Sequence, residues 1–129
     1  MGGLGALNIA IRNPEIYKTV SAFAPIANPT KGIWGQKQFE AYLGKEKENW
    51  KKYDPSILLN EQGYKGKILI DQGTKDDFLK NLMPETLENI FNNRNNGDQL
   101  RYQKDYDHSY FFVSSFLKDH VLWHKEHVK

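Results

Sequence analysis

An acidic pair, Asp76-Asp77, followed further along the chain by His108, supplies two of the three groups that nucleophilic hydrolysis requires. That chemistry uses a hydroxyl nucleophile, an imidazole that takes its proton, and a carboxylate that orients the imidazole and stabilises its cation. Each feature also has a plainer reading. An acidic pair on its own stabilises the free N–H groups at a helix start, and an isolated histidine is more often a cap or a surface residue than a catalyst. The nucleophile is harder to find. Ser21 falls in a predicted strand, Ser56 follows Asp54-Pro55 at a predicted helix start, and Ser109 adjoins the histidine. Ser114 and Ser115 lie in the predicted final helix. None sits on a sharp strand-to-helix turn, so none is assigned as the nucleophile.

The elements that must position these groups alternate between helix and strand. Leu4, Leu7 and Ile11 recur at helical spacing over residues 1–12, and Asn13-Pro14 ends that helix. Val20 to Ala24 is a short apolar run stopped by Pro25 and reads as a buried strand. Ala27 to Asn60 reads as an irregular excursion, with helices over Lys37–Leu43 and around Glu48–Tyr53. Lys67 to Asp71 is the clearest strand, stopping at Gln72-Gly73. Met83 to Asn93 is a predicted helix, Gln99 to Lys104 a strand, and Ser109 to His127 a long last helix with Phe112, Phe116 and Trp123 on its apolar side. Strands alternating with helices imply an α/β fold with a mostly parallel sheet of about three strands, flanked by helices. Functional residues of such sheets gather beyond the carboxyl ends of the strands. Asp76 and His108 both fall there.

Composition narrows the function classes. The 129 residues are enough for one ordinary domain, and a mean hydropathy of −0.73 describes a water-facing protein. A formal charge of +2 is too small for a nucleic-acid or anionic-membrane surface, and Lys45 to Lys52 alternates in sign as a solvated helix face does. No apolar stretch is long enough to span a membrane, and no leader is visible at the start. Cysteine is absent, which excludes thiolate and disulfide chemistry and fits a reducing, cytoplasmic setting. His120, His124 and His127 could share one helix face and mimic a metal site. With no acidic or cysteine partner to complete a ligand set, they read instead as complementing the helix dipole. Trp50 and Trp123 read as core; Trp34 reads equally as packing or as a wall over a site.

Several segments together carry a resemblance: Ser21-Ala22-Phe23-Ala24-Pro25-Ile26, Asn28-Pro29, Trp34-Gly35, Tyr42-Leu43-Gly44, Ile68 to Gly73, Gly73 to Leu79, and above all Tyr106-Asp107-His108-Ser109-Tyr110-Phe111-Phe112. The chain resembles the S-formylglutathione hydrolase (esterase D) family of α/β-hydrolases over nearly its whole length. The resemblance implies the carboxyl-terminal part of an α/β-hydrolase domain, covering residues 1–129. It implies Asp76 as the catalytic acid, with Asp77 as the alternative, and His108 as the base; Asp107 is structural. It also matches Met1-Gly2-Gly3 to the residues just after the family's nucleophilic serine. Met1 would then supply an oxyanion-hole N–H, and the serine would lie upstream. Trp34 would line the substrate pocket.

The implied reaction is hydrolysis of S-formylglutathione to glutathione and formate, with simple esters as further substrates and no metal or redox cofactor. A homodimer is implied for full-length members. A chain lacking the serine strand is expected to leave a strand edge and apolar helix faces open, to fold marginally and to be nearly inactive alone. A truncated, non-catalytic remnant or a partner-binding fragment is the competing expectation.

Overall fold

The computed structural model describes residues 1–128. Eleven residues, Gly2–Arg12, form helix α1, which buries Leu4, Leu7, Ala10 and Ile11 on one side. Strand β1, Thr19–Phe23, follows and alternates half-buried with buried residues. The excursion after it is more helical than its sequence suggests: α2 (Ile33–Leu43), α3 (Lys47–Trp50), a 3-10 turn over Lys51–Tyr53, and α4 (Pro55–Glu61). Helix α2 begins four residues before the predicted Lys37, and α4 forms at the helix start expected around Ser56. Asp54 explains α4. Its Oδ1 accepts the N–H groups of Ser56 and Ile57 while Pro55 opens the first turn, a capped start that offsets a short apolar pattern.

Strand β2, Lys67–Gly73, is buried almost throughout. It runs two residues past the predicted stop because Gln72 and Gly73 pair with Tyr102 and Gln103. Next come α5 (Leu79–Leu82), α6 (Pro84–Arg94), β3 (Gln99–Gln103) and α7 (Tyr110–His127). The strands lie in the order β1-β2-β3, and both pairings are parallel. This is the predicted class, a three-stranded parallel sheet with helices packed against it.

Helices α1, α4 and α6 pack on one face, where Leu7, Ile11, Val20, Ile68, Ile70, Leu87 and Phe91 form a continuous core. Burying each such side chain contributes roughly 1.5–3 kcal/mol. A second cluster joins Leu4, Ala24, Ile26, Phe39, Trp50, Leu82 and Phe112 near the carboxyl end of β1. Helix α7 crosses the other face and keeps Phe112 and Trp123 buried, with Phe116 packed at the margin. Among the described residues, strand β1 has a paired neighbour on one side only. Leu117, Val121 and Leu122 on α7, and Ile9 on α1, are exposed. Among the described residues, no helix is long and apolar enough to cross a membrane.

Candidate active site

The turn after β2 delivers Asp76, and the loop after β3 delivers His108. The two loops are drawn together at Gly73, where any Cβ would collide with the carbonyl of Tyr106, so only glycine allows this approach. Backbone bonds then fasten the loops: Thr74 N–H to Gln103 O (3.1 Å) and Lys75 N–H to Tyr106 O (2.9 Å).

Across that junction His108 Nδ1 lies 2.7 Å from Asp76 Oδ2. An ionised carboxylate only accepts, so Nδ1 carries the shared proton and Nε2 is left as the acceptor. The Asp76 carboxylate is fully enclosed, whereas the imidazole is 42 % exposed. The acid is held from two further directions: Phe78 N–H donates to Oδ1 (2.8 Å) and Gln72 Nε2 to Oδ2 (3.0 Å). Asp77 is exposed and is not the carboxylate bonded to the histidine. Asp107 points elsewhere and accepts from Ser109 Oγ, whose oxygen in turn caps α7 by accepting Phe112 N–H.

His108 borders a cavity of about 330 Å³ lined also by Phe23, Ala24, Tyr110, Phe112 and Val113. The wall of the site continues through aromatic rings. Phe78 meets His108 edge-on at 5.3 Å, and Trp34, on the first turn of α2, lies 4.9 Å from Phe78. Trp34 is thus one ring removed from the histidine. Met1 stands at the exposed start of α1. Two residues on, Gly3 packs closely on the Phe23 carbonyl and Pro25, which places the start of this helix beside the carboxyl end of β1.

The histidines of α7 depart from their expected role. His120 is buried: its Nε2 is 3.1 Å from Asp71 Oδ2, and its ring stacks on Phe23 at 3.9 Å. His124 bridges the Thr19 and Ser21 hydroxyls of β1 at 2.8 and 2.9 Å. Only His127, bonded to the Trp123 carbonyl, behaves as a C-terminal dipole complement. Asp71 also takes a two-pronged bond from Arg101, at 2.6 and 2.7 Å, and a longer one from Gln103. Burial pushes the Asp71 carboxyl up, but the bonds from His120 and Arg101 outweigh it and hold it below the usual carboxylate range. Sequence reading passed over Gln72, Phe78 and Asp71. The available signal was two polar residues, Asp71 and Gln72, closing an otherwise apolar strand.

A parallel sheet with an Asp–His pair hydrogen-bonded past its carboxyl ends defines an α/β protein of the hydrolase type. The comparisons agree on the family: the model for putative esterases matches residues 1–123, and this chain belongs to that esterase family. It is 55 % identical over 126 residues to an S-formylglutathione hydrolase of Paracoccus denitrificans, covering 98 % of this chain and 45 % of the relative. An S-formylglutathione hydrolase from Agrobacterium tumefaciens superposes with a TM-score of 0.91 at 41 % identity, covering 99 % of this chain and 47 % of that one. At 18 % identity, the S-formylglutathione hydrolase of Staphylococcus aureus shares the fold, with a TM-score of 0.72 over 95 % of this chain and 50 % of the other. The chain therefore spans a little under half the length of the first two relatives.

Proposed function

We propose that this chain contributes the acid and base of a Ser-Asp-His hydrolase that cleaves S-formylglutathione to glutathione and formate, and also accepts simple esters. The observation that carries the reading is the 2.7 Å bond between His108 Nδ1 and Asp76 Oδ2. It leaves Nε2 as the base on a half-exposed ring beside a cavity. The nucleophilic serine comes from a segment that precedes Met1 in the family pattern, and residues 1–129 are the carboxyl-terminal part of one hydrolase domain. His108 Nε2 takes the serine proton as the oxygen attacks the thioester carbonyl. Asp76 keeps Nδ1 protonated and stabilises the imidazolium. The Met1 N–H, internal to the chain in that setting, donates to the tetrahedral oxyanion. The imidazolium then returns its proton to the departing thiolate. Water, deprotonated by His108, attacks the formyl-serine ester and releases formate. Trp34 and Phe78 wall the pocket.

Relatives named as S-formylglutathione hydrolases support the substrate, and the half-length match supports a serine donated from outside this sequence. The absence of cysteine suits a cytoplasmic enzyme, and a homodimer is the proposed assembly of the full-length protein. The unpaired side of β1 and the exposed Leu117, Val121 and Leu122 favour a second reading, a non-catalytic fragment that binds a partner.

One experiment separates the two readings. The part of the Paracoccus relative that lies upstream of its match to Met1 is joined to Met1, and hydrolysis of S-formylglutathione and p-nitrophenyl acetate is followed. The hydrolase reading expects turnover from the joined protein and almost none from the 129-residue chain. A folded joined protein without turnover, or turnover that survives Asp76→Ala, defeats it.

A further inference from the structure

Gln72 occupies the next-to-last position of β2, the central strand, and is fully buried. Its amide nitrogen has two hydrogens and two acceptors: the Gly73 carbonyl at 3.2 Å and Asp76 Oδ2 at 3.0 Å. Turning the amide over would set its oxygen against both, so the pair of acceptors fixes the orientation. The oxygen Oε1 finds no partner among the described residues. A side chain kept only for packing would not carry that unsatisfied atom, because methionine fills similar space without it. Gln72 is held in this strand for its donor.

The donor's target is the oxygen that also accepts from His108. Oδ1, on the other side of the carboxylate, is fixed by the Phe78 N–H. A carboxylate bound at one oxygen alone can rotate about its Cβ–Cγ bond and offer His108 either oxygen, at varying angle. With Gln72 holding the second oxygen from a rigid strand, rotation is blocked and Oδ2 stays in line with Nδ1. We infer that Gln72 is a positioning residue, acting through Asp76 to align His108. Its importance for turnover rests on the hydrolase reading of that pair; the alignment itself does not.

The test therefore has two arms. In the 129-residue chain, proton NMR follows the low-field resonance of His108 Nδ1–H, assigned by its loss in Asp76→Asn and in His108→Ala. Gln72→Met, which keeps volume, removes the donor. The resonance is expected to move upfield or exchange away in this variant, with the thermal midpoint little changed. In the joined enzyme, Gln72→Met is expected to lower kcat about tenfold to a hundredfold with KM unchanged, the loss that follows from a misaligned base. A resonance that stays in place overturns the inference, as does one lost only together with cooperative melting, which would make Gln72 a packing residue. If His108→Ala abolishes turnover while Gln72→Met leaves it intact, the inference fails and the hydrolase reading stands. An inactive joined enzyme whose resonance still responds to Gln72 has the reverse meaning.

Discussion

Two aspartate–histidine pairs lie close together in this molecule, and they are built for opposite ends. Asp76 and His108 stand on loops past the strand ends, with the acid enclosed and the imidazole open to a cavity. Asp71 and His120 stand on a strand and a helix, both buried, with the Arg101 guanidinium also bound to the carboxylate and Phe23 covering the ring. The first pair leaves a ring nitrogen available to a reactant. The second uses its charge internally, tying α7 to β2 and β3. An Asp–His bond by itself therefore indicates little. His120 Nδ1 also lacks a partner among the described residues but is buried, so what distinguishes a reactive pair is a loop histidine whose free nitrogen is open to a cavity.

The sharpest way to break the comparison is to remove each histidine from the joined enzyme. His108→Ala is expected to lower kcat about 10⁴-fold or more, close to the loss of a triad base, with stability nearly unchanged. His120→Ala should show the opposite profile, a clear loss in the urea midpoint and activity within about tenfold at a temperature where the protein stays folded. Equal losses of activity from both would erase the distinction. The acids should divide in the same way. Asp71→Ala leaves the Arg101 guanidinium facing a carboxylate-sized gap and strips His120 of its partner, and breaking a buried pair in this manner costs about 3–5 kcal/mol. Asp76→Asn keeps the shape of its site, so chemical denaturation should register it far less than the assay does.

Titration sharpens the contrast within α7. Burial, reinforced by the neighbouring His120 and His127, lowers the His124 pKa below the ordinary imidazole value. The folded state then prefers neutral His124. Its contribution is complete above about pH 6.5 and is lost as acid protonates the unfolded chain first, down through the lowered folded value. Asp71 has the same sign at lower pH: its carboxyl is held down in the fold, so its stabilisation is present above about pH 3.9 and lost as pH falls through the folded value. Stability plotted against pH should therefore fall in two stages on acidification. His124→Gln should remove only the upper stage and Asp71→Asn only the lower; a single acid transition unchanged by His124→Gln would contradict this.

The strands and the final helix were legible because each has a local signature, whereas the pairing of Asp76 with His108 was expected from the family resemblance. Ile68, Leu69 and Ile70 make an unbroken buried run, Asn13-Pro14 stops α1, and Asp76 and His108 lie where parallel strands deliver loops. The histidines of α7 were misread because their spacing is a property of the helix alone, whereas their partners Asp71, Thr19 and Ser21 belong to distant strands. The start of α4 was legible at Asp54-Pro55-Ser56, but not the contact that holds it in place. That start depends on Asp54, whose Oδ2 is also bound by the backbone and hydroxyl of Thr30, a contact no window of sequence contains. The preference for Asp76 over Asp77 came from family resemblance, while the geometry adds that only Asp76 turns inward beneath the histidine.

The smallest effect concerns the hinge between the two pairs. Ser109 follows His108 directly and begins α7, the helix that carries His120, so one residue joins the open pair to the buried one. Its hydroxyl accepts Phe112 N–H and donates to Asp107, fixing where the loop ends and the helix starts. Ser109→Ala removes that cap and should lower stability by about 1 kcal/mol. Because Phe112 is buried against Phe23 and stays anchored without the cap, the fraying should run toward His108 and leave His120 in place. Hydrogen exchange should accordingly quicken at Tyr110 to Val113 and remain slow around His120. Accelerated exchange along the whole helix would show that the two pairs are mechanically one unit, and their separation into an open and an internal pair would lose its basis.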